Sequence, residues 1–371
     1  MRGSIRSGCG ALAVHFASAS LAVAVLCAPA LHAVERTAAL PEAIYVTNEA
    51  GGTLSVIDGR TLRVTRTLAL GKRPRGLVVS RDGRRLYVAL SGSPPAGPGV
   101  DESTLPPPDR TADGIGVVDL AQGRVVRMLR GVSDPEQLAL GPDGKRLYVA
   151  SEDSGRLFVF DLGSGQIVKR LQVGGEPEGV GVSDDGSRIC ATSEAKGTVA
   201  LIDGRELRVQ RIESVGQRPR NCRFSHDGTT LYVPAEVGAT LSMIDLDRGG
   251  PPHTVPLAGA GVRPMGVALA PDGRSLYLTT GHAGLVLRLD ARTGKVSGRV
   301  KVGDRPWGLA IAADGRRLYT ADGPSNTVSV VALPEMSRLT SIAVGEKPWG
   351  VAVGPLQPPA AAVQSHHARR P

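Results

Sequence analysis

Residues 303–331 read GDRPWGLAIAADGRRLYTADGPSNTVSVV. A Pro-x-Gly step opens a short alternating strand. The Asp314-Gly315 turn leads into a second strand that ends near Tyr319. A Gly-Pro-Ser-Asn loop separates it from a third strand, and a fourth follows at Arg338–Val344. Short period-2 runs punctuated by Gly, Pro, Asn and Asp signal antiparallel strands joined by tight turns.

The rest of the chain repeats this unit. The opening prolines are Pro74, Pro135, Pro177, Pro219, Pro264, Pro306 and Pro348, spaced 61, 42, 42, 45, 42 and 42 residues apart. The turn aspartates Asp82, Asp143, Asp185, Asp227, Asp272 and Asp314 keep the same spacings. A four-strand repeat of this length is the signature of a propeller blade. With strands lettered A to D from the axis outwards, there are seven A strands. After Val353, however, the chain turns to Gly-Pro-Leu-Gln-Pro-Pro and supplies no B, C or D. The N-terminal runs Ile44–Asn48, Leu54–Asp58 and Arg63–Leu70 supply them. The expectation is an all-β, seven-bladed propeller of four-stranded antiparallel blades over residues 43–356, closed by a blade shared between the two ends. Closure removes the open edges of a linear array.

The ends of the chain differ in composition. Arg2 and Arg6 precede an apolar run, Ala11–Ala28, and small residues follow at Ala28, Ala30 and Ala33. Residues 1–33 read as a secretory signal peptide, with a membrane anchor as the alternative. Its removal takes away two arginines and no acid, so the net charge falls from +9 to +7. That charge suits steering towards an acidic partner. No nucleic-acid motif is present. Residues 34–42 and 357–371 read as tails, the latter with His366-His367. The expected protein is periplasmic or secreted, monomeric, and without a membrane span once the leader is removed. Aromatic residues are only 3% of the chain, so Val, Leu, Ala and Gly must build the sheets. Cys190 and Cys222 fall in neighbouring units, either as two buried small hydrophobes or as a disulfide.

One segment breaks the period. Ser91–Asp113, SGSPPAGPGVDESTLPPPDRTAD, is a Pro-rich insert that cannot be strand or helix. It follows strand B of the first full blade, as an ordered flap or a mobile loop.

In an up-and-down blade, the start of strand A and the B–C loop share one face. The residue after each opening proline is Arg75, Glu136, Glu178, Arg220, Met265, Trp307 or Trp349. Four positions after the strand-B tyrosine or its equivalent stand Ser91, Glu152, Glu194, Glu236, Gly281, Gly323 and Glu49, with His282 and Asp322 beside the glycines. Two acidic blades are flanked by two doubly basic ones (Arg73 and Arg75; Arg218 and Arg220), and the other three pair a cation with Met265, Trp307 or Trp349. A repeat needs the Pro and the Gly; it does not need the residue between them to vary in sectors. Arg75, Glu136, Glu178, Arg220, Met265, Trp307, Trp349, Glu49, Glu152, Glu194, Glu236 and His282 are therefore the candidate binding residues. The competing explanations are mutual salt bridges for the charges and inter-blade packing for the tryptophans.

The strings Ile44-Tyr45-Val46-Thr47-Asn48, Leu147-Tyr148-Val149 and Ser55-Val56-Ile57-Asp58 resemble the YVTN-family β-propeller repeat over about residues 43–354. The segments PEQLALGPDGKRLYVASED, PEGVGVSDDG, RPRNCRFSHDG and PWGVAV are similar to a secreted bacterial seven-bladed group associated with pyrroloquinoline-quinone (PQQ)-dependent alcohol oxidation. The insert departs from the shortest members of that group. A more distant resemblance is to the haem d1 propeller of nitrite reductase. The resemblance implies a role beside an alcohol-oxidising system and assigns no activity.

Enzyme signatures are few. There is no Cys-x-x-Cys-His, His-Glu-x-x-His or Gly-x-Ser-x-Gly motif. Five histidines remain beyond the leader, and only His282 falls on the expected rim, which leaves at most one axial ligand for haem. The leading reading is a non-catalytic protein that binds a protein partner or small ligand at the channel rim, with no catalytic or metal residues and no cofactor assigned. The alternative is an enzyme or redox subunit using the same rim, either a carboxylate–metal hydrolase or lyase or a haem d1-like protein.

Overall fold

The computed structural model describes residues 41–95, 100, 104–257, 259 and 261–358. The expected leader and the His366-His367 pair lie outside them. Among the described residues, 28 strands form seven four-stranded antiparallel sheets, the blades of a seven-bladed β-propeller. Blade 1 is Pro74–Val79, Arg85–Leu90, Gly114–Asp119 and Arg124–Leu129. Blades 2 to 6 open at Pro135, Pro177, Pro219, Pro264 and Pro306.

Blade 7 closes the ring. Its inner strand is Pro348–Pro355, paired to Glu42–Asn48, then Thr53–Asp58 and Arg63–Ala69. The register runs from Glu42 opposite Pro355 to Val46 opposite Val351. Glu42, expected in a tail, therefore belongs to the sheet. Gly59 N–H donates to the Glu42 carbonyl, and Leu356 N–H to that of Pro41.

Burial follows strand position. Strands B and C are buried along almost their full length, as in Arg85–Leu90 and Thr53–Asp58, because a neighbouring blade covers each face. Outer strands such as Arg63–Ala69 and Ser337–Ala343 are largely exposed. The apolar core is accordingly divided into seven clusters, one between each pair of adjacent blades. One joins Tyr45 and Leu54 of blade 7 to Leu77 and Leu86 of blade 1. Another joins Ile44 and Val46 of blade 7 to Tyr319 and Val328 of blade 6. Blade 7 thus packs on both sides like any other.

The Asp-Gly hairpins are turn chemistry. Ser80 accepts from Gly83 N–H at its carbonyl and donates its hydroxyl to Asp82, which also accepts Arg84 N–H. Gly83 takes φ 67°, a left-handed conformation that glycine adopts without strain. At the far end of strand C, the Asp58 carboxylate accepts the N–H groups of Arg60 and Thr61.

Pro-x-Gly has a packing reason. A Cβ on Gly76 would stand 2.5 Å from the carbonyl oxygen of Glu136, in the next blade. At Gly308 and Gly350 it would meet the carbonyls of Trp349 and Arg75 at 2.9 and 2.7 Å. At these three junctions the neighbouring inner strands approach so closely that a side chain cannot fit between them. A buried threonine locks two of these junctions. Thr47 accepts Gly350 N–H and donates to Arg75 O at 2.7 Å, and Thr279 likewise links Gly266 N–H to Trp307 O at 2.7 Å.

Two blades lack this glycine: blade 2 has Gln137 in its place and keeps a full inner strand, whereas blade 4 does not. Asn221 replaces the glycine, and the inner strand shortens to Arg223–Phe224 plus one bridge between Pro219 and Ala235. Here Cys190 of blade 3 and Cys222 of blade 4 form a disulfide, with Cα atoms 6.5 Å apart. Of the two roles open from the sequence, the cysteines combine both, since the bonded pair is also buried among Val199, Phe224 and Val233.

Candidate functional site

The residue between Pro and Gly enters each inner strand at the same depth, so seven such residues ring one mouth of the propeller. A cavity of about 1000 Å³ opens there. Arg75, Glu136, Glu178, Arg220, Trp307 and Trp349 all line it, as do Glu49 and Glu152. Met265, Glu194, Glu236 and His282 do not. Met265 is buried and fills the space left by Gly281, whose Cβ would lie 2.5 Å from the Met265 sulfur. Glu194 and Glu236 lie behind Arg220 in the wall, and His282 is exposed outside the lining. Asp322, beside Gly323, is fully buried and accepts from the hydroxyls of Thr320 and Ser329.

The charged sectors neutralise one another across blades. Arg75, 3% exposed, bonds Asp134 and Glu136 of blade 2 and lies 3.6 Å from Glu152. Arg220 of blade 4 reaches Glu178 at 2.8 Å and Glu194 at 2.6 Å in blade 3, and its own blade's Glu236 at 2.7 Å. Arg218 joins Glu194, and Arg73 joins Glu49 at 3.0 Å. Of the two explanations open for the charges, mutual salt bridges account for much of the pattern: Arg75 and Arg220, one blade away on either side, offset the clustered carboxylates. Compensation is nevertheless incomplete, because carboxylates outnumber guanidiniums in each group. Burial pushes the Glu194 carboxyl up to about 8, reinforced by Glu178, against the pull of Arg220 and Arg218. Burial likewise raises Glu152 to about 8, with Asp134 and Glu178 adding to it and Arg75 opposing it. Burial therefore works against ionisation of both, while the neighbouring guanidiniums favour it.

Trp307 and Trp349 form an adjoining aromatic wall. Their rings stack with centroids 5.6 Å apart and planes 20° apart. The guanidiniums of Arg305 and Arg220 lie 5.1 and 5.2 Å from the Trp307 centroid, at cation–π distance. The tryptophans thus pack across blades and also face the cavity. A strained backbone underlies the whole rim. Six of the seven pre-proline residues, among them Arg73, Asp134, Arg305 and Lys347, take φ between 40° and 56°. A pre-proline residue ordinarily prefers extended backbone, and nothing in the sequence announced this.

The insert supplies a third wall. Pro94, Leu105, Pro106 and Arg110 line the cavity. Its two ends are tied down. Arg73 donates to the carbonyls of Ser93 and Pro94, Asp109 N–H donates to Gly92 O, and Arg110 pairs with Asp113 and with Asp153 of blade 2.

Fold and site together define a seven-bladed propeller with a charged and aromatic mouth. A sequence profile of the cytochrome D1 heme domain matches residues 136–229, which run from blade 2 into blade 4. Antigen Lp49 of Leptospira interrogans is 30% identical over 138 residues, covering 29% of this chain and 30% of that protein. The chain therefore matches under a third of that relative's length. Among solved structures, hydrazine synthase of Kuenenia stuttgartiensis is similar with a TM-score of 0.66 at 23% identity, covering 78% of this chain and 92% of that one. A protein of unknown function from Desulfotomaculum acetoxidans superposes with a TM-score of 0.68 at 14% identity, covering 86% and 99%. These similarities establish the fold.

Proposed function

We propose that this chain is an exported, non-catalytic binding propeller that takes up a small ligand or a segment of a partner protein in the cavity at its mouth. The observation that carries this reading is the composition of the cavity. The only two tryptophans of the chain stack in one wall of it, beside a built and buried ionic wall whose Arg220 lies over the Trp307 ring. Concave sites with an aromatic wall and a few fixed polar groups are the usual form of a ligand pocket. No helix among the described residues is long and apolar enough to cross a membrane. The similarity of the PEQLALGPDGKRLYVASED and PWGVAV segments to propellers associated with PQQ-dependent alcohol oxidation supports an accessory role in such a system.

The match to the cytochrome D1 heme domain favours a second reading, a cofactor-binding or enzymatic subunit. The donor set does not fit an axially ligated haem. Among the described residues, no His, Cys, Met or Tyr lines the cavity. The carboxylates of Asp134, Glu136 and Glu152 lie within 4.8 Å of one another, as a metal site would require. The Arg75 guanidinium already bonds two of them, so the cluster holds its own cation.

An absorption spectrum and a metal analysis of protein purified from its exporting host separate the readings. The binding reading predicts no stoichiometric chromophore or metal. A stoichiometric amount of either would transfer the assignment to the second.

A further inference from the structure

We propose that Arg305 and Lys347 form an oxyanion-binding site in the cavity, the anchor for a carboxylate- or phosphate-bearing ligand. This rests on the binding reading above and names the chemistry of what is bound.

The register of the repeat carries the argument. At two junctions the cation before the opening proline of one blade pairs with the carboxylate at the end of strand B in the blade before it; at a third, before Pro264, Arg263 makes no such pair among the described residues, and Glu236 is held by Arg220 instead. Arg73 of blade 1 meets Glu49 of blade 7, and Arg218 of blade 4 meets Glu194 of blade 3. In blades 6 and 7 the cations are Arg305 and Lys347. The positions that would hold their carboxylates are Gly281 and Gly323. The counter-ion has been removed twice in succession, on the side of the mouth where both tryptophans stand.

An inventory of the lining cations agrees. Arg73, Arg75, Arg110, Arg218 and Arg220 each hold at least one carboxylate. Among the described residues, Arg305 and Lys347 are in no ion pair. Arg305 is half-buried, and its Nε is buried without a hydrogen-bond partner. A planar guanidinium with unused donors suits an oxyanion. Burial lowers its pKa, with Arg220 and Arg218 adding to the effect and Glu236 and Glu49 opposing it. Gly281 is also explained by Met265, which fills its space. Gly323 is not explained in this way, since a Cβ there would meet nothing nearer than 3.6 Å.

The two tryptophans are the only ones in the chain and both line the site, so intrinsic fluorescence reports on it directly. The experiment titrates the purified full chain with inorganic phosphate and with citrate, using glucose as an uncharged control at matched ionic strength. The phosphate and citrate arms distinguish the two kinds of oxyanion. The expected result is a saturable change with at least one anion and none with glucose. Arg305→Gln should raise Kd tenfold or more, and so should Gly323→Glu, which restores the missing carboxylate beside Lys347. The Gly323→Glu variant leaves Arg305 and both tryptophans in place, so a folding defect in one variant does not decide the test. No saturable response to either anion overturns the proposal, as does a response unchanged in both variants. Mass spectrometry of whatever small molecule co-purifies separates the two claims. A neutral or cationic ligand sinks the oxyanion site and leaves the binding reading standing.

Discussion

Arg220 is a single guanidinium serving three carboxylates, and it is 8% exposed. Truncation would leave Glu178, Glu194 and Glu236 buried, with Arg218 the one remaining cation in an ion pair to the group among the described residues. Arg220→Ala is therefore expected to cost about 3–5 kcal/mol, the usual result of breaking a buried ion pair by removing one partner. Urea unfolding monitored by far-ultraviolet circular dichroism checks this; a change under about 1 kcal/mol would place the network in the weak class of surface pairs. Glu194 gives a pH signature. Its carboxyl rises from an ordinary 4.5 to about 8 in the folded protein. The folded state then binds the proton more tightly than the unfolded state, so the contribution is greatest below about pH 4.5 and is lost as pH rises towards 8. Stability should fall across that interval, and Glu194→Gln should flatten the slope. The turn aspartates act in the opposite sense at lower pH. Asp185, held at about 2 by the Ser183 and Ser187 hydroxyls and the Ser187 amide, loses its contribution as pH falls through that value. The identity of these rim residues was legible in the sequence, because the position after each opening proline varies in sectors while the proline itself is kept in all seven repeats. Their pairing was not. It depends on which blade a side chain leans towards, and Arg75 leans forward to blade 2 whereas Arg220 leans back to blade 3.

At the scale of the element, the inner strand is where repeat and packing meet. The spacing of Pro74, Pro135 and their successors was visible from sequence because each blade must restart in the same place. The reason for the following glycine was not visible, since it lies in the neighbouring blade's carbonyl. Gly76→Val would press a branched side chain against Glu136 O, already 2.5 Å from where a Cβ would sit. Overpacking of this kind costs about 1–3 kcal/mol or more. The corresponding position in blade 2 is Gln137, so substitution there by Val should cost less; equal losses at the two positions would refute the close-approach argument. The short inner strand of blade 4 relies on a covalent tie. The disulfide joins residues 32 apart in sequence, across two blades. Replacing both cysteines by alanine is expected to lower stability by about 2–4 kcal/mol, measured by thermal unfolding in the absence of reductant. The Pro-rich insert was legible as an interruption and no further. Which way it folds depends on Arg73, Lys72 and Arg130, whose hydrogen bonds and ion pair to it are tertiary.

The molecule as a whole is a ring, and its stability is shared among seven inter-blade cores. Deleting residues 345–371 would remove the inner strand of blade 7 and open the cores on both its faces. The shortened chain should melt at a lower temperature and in a broader transition than the intact protein, whereas deletion of 359–371 should change neither. Closure was readable because the C-terminal repeat ends after one strand and the N-terminal one starts with three. What the ring holds at its mouth was less readable, since a cavity is made by side chains from every blade at once.

The central claim is that this mouth binds a ligand. Native mass spectrometry of the full chain, purified from its exporting host beside Trp307→Ala with Arg305→Gln, tests it most directly. The account predicts a bound mass at near-unit occupancy on the parent protein, lost from the double variant while the melting temperature changes by only a few degrees. A parent protein that carries no bound mass and shows no thermal shift with the host's soluble extract would contradict it, leaving the rim charges and tryptophans as the packing of a closed ring.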